Sequence, residues 1–569
     1  MGKIDLRNTH FLVFNYLFFH NDSSMSKTAF TSVWKRQNKL LIFLLIVLFS
    51  IGLGFAVTSG EIITTDDANR IVHGQWLLSH FGLAPKTLHV AKWYGPLWDI
   101  ILYFAHAYIF PFLNNPHWVM HALTFALFPI TLTLTYLLLG RARVSYSTRL
   151  LIIALLFGII RFGGHAAVTV KDFPAACAYL IITIYLWIAL KERRTKNGYD
   201  LSTLMELGII ASIPFMLRIP NGFHLVFLTA FIVIHNYFFL PKANLKERIL
   251  PPIMLLLAGL CAFFILYPSW WDLSLDVLKK PFTLFSSYHW NGEIRIFGNS
   301  IMIEASKTPI PWWYVFVWPP VMIHPLAFFV MLAGLIGSFT KGIQKKYPFI
   351  LSSKSKKYNL SLIKWMWLIT ILSFAAVIII RPLLYDEERQ ILFLYPLLMI
   401  IAGLGLDDLK KKWKLILAGL IAVLSLFSYM NWERYSYTYK SPLIGNTSSS
   451  QFLGDYYMTC FAPAARKIHE SIPPGTPIVV NGPTHLIEYQ LDDLKKINHP
   501  SPIPDIANYP VTWEKPTDGT AYAVLTSNRL GWHLPIVDAI VRGEADLIWQ
   551  DMMPPGEPAC VLAYFPEKS

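Results

Sequence analysis

Apolar segments recur along this chain from about residue 40 to residue 430, and they constrain the fold more than any other feature. Many approach the roughly 20 residues that a helix needs to cross a hydrocarbon core of about 30 Å. Lipid offers no hydrogen bonds to bare backbone, and the segments lack the period-2 alternation of a membrane barrel, so they are expected to be helices. The 569 residues are 54% hydrophobic and 15% charged, too apolar for a soluble protein of this length. The expected fold class is therefore a polytopic α-helical membrane protein.

Spans are drawn at 40–58, 118–139, 149–164, 174–190, 204–218, 222–240, 249–268, 312–338, 363–381, 389–406 and 413–430, about 11 in all. Segment 95–113 is long enough but carries Asp99, His106 and Pro111. Charge bias decides it. If it does not cross, the basic tail, Lys191-Glu192-Arg193-Arg194, the lysine-rich 341–364 loop and Lys410-Lys411-Lys412 all fall on one side, as the positive-inside rule requires. Segment 95–113 is thus read as a juxtamembrane or re-entrant helix in a long first outer loop.

The topology that follows has a cytoplasmic tail at 1–39, a membrane domain at 40–430 and an extracytoplasmic region at 431–569. The tail contains an apolar run at 11–19 that is too short to span, and no small-residue cleavage site marks a signal peptide. The net charge of +14 then resides mostly in cytoplasmic lysines near anionic headgroups and gives no reason to invoke nucleic acid. In the C-terminal region, Pro477-Ile478-Val479-Val480 and Ala521-Tyr522-Ala523-Val524-Leu525 read as buried strands and 462–471 as a helix, a small α/β domain. Cys177 and Cys261 fall in apolar segments and read as core residues. Cys460 and Cys560 are able to pair if their region faces an oxidising compartment.

This topology gathers polar residues on the outer face, in loops 59–117, 165–173, 269–311 and 382–388. Asp66 and Asp67 lie in the first of these, together with His73, Lys92, Tyr94 and Asp99. His165, Lys171 and Asp172 lie in the second, Arg218 at the next outer turn, and Arg381, Tyr385, Asp386, Glu387, Glu388 and Arg389 around the last. Asp66 and Asp67 read as a general base, a metal-ligand pair or a helix N-cap over 68–78; capping accounts for one carboxylate better than for two. Asp172 reads as an N-cap or a site carboxylate, and Arg381 and Arg389 as headgroup anchors or part of an ion network. Trp270, Trp271, Trp312 and Trp313 read as interface-belt residues. No phosphate-binding glycine loop, dinucleotide fingerprint, zinc spacing or nucleophile elbow appears on a suitable element. What remains is an enzyme acting on a lipid-borne substrate at the outer face.

An acidic pair after the first span is followed by Tyr94-Gly95-Pro96-Leu97, Lys171-Asp172-Phe173-Pro174 and Arg389-Gln390-Ile391-Leu392-Phe393-Leu394-Tyr395-Pro396. In this order, over about residues 40–430, the chain resembles the GT-C glycosyltransferases, in particular the dolichyl-phosphate-mannose protein mannosyltransferases and the bacterial aminoarabinose transferases of lipid A. The resemblance implies a GT-C fold and Asp66 as catalytic base. Where the family often has Asp-Glu, this chain has Asp66-Asp67, which leaves Asp67 less defined. It further implies Asp172 as a second acidic site residue and Arg389, then Arg381, as holders of the donor phosphate. Lys92 matches a first-loop lysine loosely, since Pro96 follows it only after four residues. Tyr94, His165, Lys171, Arg218, Tyr385 and Asp386 are the candidate substrate contacts.

The expected function is an inverting transfer of a hexosyl or pentosyl group from a polyprenyl-phosphate sugar to a lipid, glycan or protein acceptor. A carboxylate activates the acceptor hydroxyl and an arginine stabilises the released phosphate. No cofactor is required, and a divalent metal is neither required nor implied. The bacterial inner membrane, with the site and the C-terminal region in the periplasm, is the expected location. The rival reading, a transporter or flippase of lipid-linked substrates, calls for charges near the bilayer midplane and paired repeats. The spans are mostly clear of charge in their middles, and no repeat is evident.

Overall fold

Gly208 and Gly259 show how the apolar segments pack: a Cβ on Gly208 would come within 2.1 Å of the Leu255 carbonyl oxygen, and one on Gly259 within 2.7 Å of the Gly208 oxygen. Small residues at such crossings let two backbones touch, which is how helices associate where lipid is as apolar as leucine. Gly334 and Gly405 do the same at a second crossing, where a Cβ on Gly405 would come within 1.9 Å of the Gly334 oxygen. These positions are read from a computed structural model, which describes residues 67–85, 95–112, 116–168, 171–194, 199–239, 245–271, 274–276, 279, 292–303, 310–344, 355–382, 384, 386–445, 451–482, 510–512, 514–516, 519–554 and 556–567. The expected tail at 1–39 and the span at 40–58 lie outside them.

Two short helices come first, α1 (Asp67–Ser79) and α2 (Pro96–Phe104). A π-turn, Ala105–Ile109, extends α2, and together they are shorter than a span requires. The apolar helices follow: α3 (Pro116–Arg141), α4 (Tyr146–Phe157), α5 (Ile160–Val168), α6 (Asp172–Glu192), α7 (Leu201–Leu217), α8 (Phe223–Phe239) and α9 (Leu245–Leu266). After a hairpin of β1 (Gly292–Ile296) and β2 (Asn299–Ile303) come α10 (Tyr314–Met322), α11 (Pro325–Gln344), α12 (Ser355–Ile380), α13 (Tyr395–Gly405) and α14 (Lys411–Trp432). Among the described residues, five helical stretches are long and apolar enough to cross a membrane: His117–Arg141, Asp172–Glu192, Arg248–Leu266, Leu360–Ile380 and Lys411–Thr438. Tyr146–Phe157, Leu201–Leu217, Phe223–Phe238, Pro325–Thr340 and Arg389–Gly405 are shorter apolar stretches, so among the described residues the expected spans are not all present as single long helices.

Two expected spans are broken at one place. Span 149–164 divides into α4 and α5 around Gly158, and span 312–338 into α10 and α11 around Ile323 and His324. The breaks meet: Ile159 and Ile323 form an isolated antiparallel bridge, and the His324 amide donates to the Gly158 carbonyl at 2.9 Å. Backbone groups freed from helix are thereby satisfied within the protein, the condition for irregular backbone at membrane depth. Span 389–406 opens as a 3-10 helix, Arg389–Leu394, and becomes α-helical at Tyr395-Pro396. Pro396 is placed where a first-turn amide would have no partner.

Side chains from most of these helices share one core, in which Trp187, Trp318, Trp365 and Tyr395 are sealed. Cys177 belongs to it, but Cys261 is exposed on α9, a correction to its reading as core. A helix that faces lipid can carry apolar side chains outward without penalty. Trp270 is buried against Phe215 and Phe263, whereas Trp271, Trp312 and Trp313 are exposed.

The C-terminal region folds as a small α/β unit. Helix α15 (Phe461–Ser471), strand β3 (Ile478–Asn481), β4 (Val511–Thr512), β5 (Tyr522–Ser527), helix α16 (Leu534–Val541), β6 (Asp546–Met553) and β7 (Glu557–Phe565) build it. The sheet order is β4-β3-β5-β7-β6, parallel from β4 to β5 and antiparallel beyond. Both strand readings and the helix at 462–471 match. The β6–β7 hairpin lies beyond those readings. Cys460 and Cys560 are disulfide-bonded, tying the residue before α15 to β7.

Candidate functional site

Asp172 is the first residue of α6, with Lys171, not Asp172, in the capping position. Reading Asp172 as the N-cap is therefore corrected by one residue. A carboxylate in the first turn still meets the positive end of the helix dipole. It does more than that. Arg218, the extended residue that ends α7, pairs with one Asp172 oxygen, and Arg389 Nε lies 3.7 Å from the other. Arg389 Nη2 is 3.1 Å from Asp386, and Arg389 Nη1 donates to the Tyr457 hydroxyl at 2.9 Å. Asp386 also receives Arg529 Nη2, at 2.8 Å. Three guanidinium groups thus surround two carboxylates in a nearly closed space, with Asp172 3% and Arg389 4% exposed. Chain segments far apart in sequence supply them.

A second cluster adjoins the first. Arg161, fully buried on α5, pairs with Glu387 and lies 2.7 Å from Glu388; His165 Nε2 is 3.3 Å from Glu388. Helix α5 can come this close because Gly163 and Gly164 leave room for Tyr429 and for the backbone of Ser436 and Tyr437. Arg161 Nε donates to the Tyr439 carbonyl at 2.6 Å, and the Leu453 amide donates to Glu387 at 2.8 Å. Burial and the like charge of Glu388 push the Glu387 carboxyl up, to about 7, against the pull of Arg161. For Glu388, Arg161 and His165 outweigh the upward effect of burial and hold it below the usual carboxylate range.

The turn that divides the two clusters is backbone-strained. Asp386 and Glu387 sit at φ 55° and 61°, a left-handed conformation that non-glycine residues seldom adopt. This turn sends Asp386 to Arg389 and Arg529, and Glu387 and Glu388 to Arg161. Strain of about 1–3 kcal/mol per residue persists only where neighbours enforce it, and here ion pairs on both sides do.

In the first outer loop, Asp99 on α2 accepts from Arg70 Nη1 at 3.0 Å and faces His73 Nδ1 at 2.6 Å, fixing α1 against α2. Helix α1 begins at Asp67, close to the expected helix 68–78. The side chain of Asp67 and the residues Asp66, Lys92, Tyr94 and Tyr385 lie outside the described residues. Of the other sequence-derived candidates, Asp172, Arg218, Asp386 and Arg389 come together, and His165 joins the adjoining cluster. Lys171 flanks Asp172 in the chain. Arg381 is exposed and lines a small apolar cavity with Trp312, Val315 and Leu384.

Sequence reasoning missed Arg161, Tyr457 and Arg529. Arg161 carried a signal: an arginine inside an apolar segment is rare unless it is paired. Tyr457 and Arg529 carried none, since nothing local marks a residue that a distant strand end delivers. Among the described residues, no group of three or more His, Cys, Asp or Glu side chains is arranged to hold a metal ion.

No family model matches the chain, and no curated protein matches it. Among solved structures it is similar to the crystal structure of ArnT from Cupriavidus metallidurans in the apo state, at 11% identity and a TM-score of 0.47, over 92% of this chain and 98% of that one. It is also similar to the structure of the same protein bound to undecaprenyl phosphate, at 10% identity and a TM-score of 0.47, over 95% of this chain and 98% of that one.

Proposed function

We propose that the protein is an inverting glycosyltransferase that moves a hexosyl or pentosyl group from a polyprenyl-phosphate carrier to an acceptor at the outer face of a bacterial inner membrane. The observation that carries this reading is the buried meeting of Arg218, Arg389 and Arg529 with Asp172 and Asp386 where apolar helices end. Permanently charged, fork-shaped cations suit a phosphate, and their position at helix ends suits a donor whose tail stays in lipid. The resemblance of the sequence to GT-C glycosyltransferases supports the same reading.

In this scheme the acceptor hydroxyl attacks the anomeric carbon while the bond to the phosphate oxygen breaks, inverting the configuration. Asp66 takes the hydroxyl proton, and Asp67 supports it. The electron pair leaves on the polyprenyl phosphate, whose charge Arg389 and Arg218 stabilise. Asp172 holds both arginines in place, and no metal is needed. Residues 40–430 form the catalytic membrane domain, and 431–569 an extracytoplasmic domain in the periplasm.

The test is to incubate purified protein in vesicles with radiolabelled polyprenyl-phosphate sugars and membrane acceptor extract. Label in an acceptor, with release of polyprenyl phosphate, is expected. Label that crosses the bilayer still attached to its carrier would identify a flippase and overturn the proposal.

A further inference from the structure

Asp99 lies outside the catalytic scheme, yet it is a buried carboxylate between two basic side chains. Its Oδ2 accepts from Arg70 Nη1 at 3.0 Å and lies 2.6 Å from His73 Nδ1, with Asp99 1%, Arg70 2% and His73 1% exposed. Taking such charges out of water contributes little net stability compared with apolar packing, and the best-attested use of a buried ion pair is to fix register. Here the register is that of α1 on α2.

The backbone shows how closely the two helices approach. A Cβ on Gly74, in the middle of α1, would lie 2.1 Å from the Asp99 carbonyl oxygen and 2.8 Å from Tyr103 Cβ. Helix α2 is itself fixed to the bundle. A Cβ on Gly95, the residue before it, would lie 2.3 Å from the Leu217 carbonyl oxygen, and Trp98 and Leu102 pack in a cluster with Met120, Ala175 and Leu217. Trp98 and Leu102 form one row of α2, spaced i and i+4, and Asp99 and Tyr103 the next, so one row packs on the bundle and the other on α1. Leu217 precedes Arg218, the partner of Asp172, and Asp66 precedes Asp67, the first residue of α1. Helix α2 thereby joins the arginine cluster to the helix that follows the proposed base.

Resting on the function proposed above, we infer that Asp99 is a positioning residue for the base: through Arg70 and His73 it holds α1 in register on α2, and so places Asp66 relative to the arginines that take the donor phosphate. Asp99 acts through α1 and not on the reacting atoms. Its loss frees α1 and leaves α2 packed on the bundle.

The experiment uses the full chain in vesicles and measures sugar transfer from a radiolabelled polyprenyl-phosphate donor, each rate divided by the number of undecaprenyl phosphate sites that the same preparation binds. That division removes unfolded protein from the comparison. Asp99→Asn should lower kcat by about a hundredfold, the scale of loss for a reacting group misplaced by about 1 Å, while undecaprenyl phosphate affinity and the KM for the donor stay near wild type. Gly74→Ala, which forces a Cβ against the Asp99 carbonyl, should do the same. In an Asp66→Asn background neither change should lower the residual transfer further, because a residue that acts through the base has nothing left to place. A merely structural role predicts the same fold-loss in both backgrounds. Unchanged kcat in Asp99→Asn, equal losses in the two backgrounds, or loss of undecaprenyl phosphate binding in both variants would overturn the inference alone. Absence of transfer by the wild type would overturn the proposed function with it, and near-normal transfer in Asp66→Asn the proposed base with it.

Discussion

Asp172 and Arg218 form a buried ion pair between two apolar helices, the carboxylate at the start of α6 and the guanidinium at the end of α7. Breaking such a pair from one side leaves a charge without compensation, at a cost of about 3–5 kcal/mol. Asp172→Asn should therefore lower thermal stability markedly. Adding Arg218→Gln should recover part of the loss, a coupling that a double-mutant cycle reads directly.

Arg389 lies between Asp172 and Asp386 and holds the Tyr457 hydroxyl. Arg389→Ala should raise the dissociation constant for undecaprenyl phosphate at least about tenfold, since truncation of a buried charge partner typically costs 2–5 kcal/mol or more. Equilibrium binding in nanodiscs checks this. Unchanged affinity would exclude Arg389 as the phosphate clamp.

Glu387 contributes a pH dependence whose sign follows from its burial. Its carboxyl is raised by burial and by Glu388 to about 7, from an ordinary value of 4.5. The stabilising effect of its proton is complete below about pH 4.5 and is lost as pH rises through about 7. Glu387→Gln, which cannot ionise, should flatten that decline between pH 5 and pH 8. Unfolding followed by tryptophan fluorescence at the two pH values reads it.

The Cys460–Cys560 bond closes a long loop, with a sequence separation of 100. Cys560→Ser should destabilise the C-terminal region by about 2–5 kcal/mol, by freeing its unfolded state. Because the bond joins the segment carrying Tyr457 to the strand beside Ser527, undecaprenyl phosphate affinity should fall as well. Limited proteolysis and the same titration test both effects.

Much of the fold was legible because lipid makes simple demands. Apolar length gave α3, α6, α9, α12 and α14 nearly in place. The breaks at Gly158 and His324 were not legible, because each is stabilised by the other, some 165 residues away, and periodicity sees only neighbours. The charge rule grouped Asp172, Arg218, Asp386 and Arg389 before any of them could be seen in contact. It was silent on Arg529, which reaches Asp386 only through the path of the C-terminal sheet. Arg161 lies in an apolar segment that reads as a plain span, although burying an arginine there requires the acidic partners it has.

The most direct test is the rate of sugar transfer from a radiolabelled polyprenyl-phosphate donor in vesicles, wild type against Asp66→Asn, with folding verified for both. Transfer by the wild type that nearly vanishes in Asp66→Asn, while undecaprenyl phosphate still binds, is the predicted result. No transfer by the wild type from any polyprenyl-phosphate sugar would contradict the function, and near-normal transfer in Asp66→Asn would contradict Asp66 as its base.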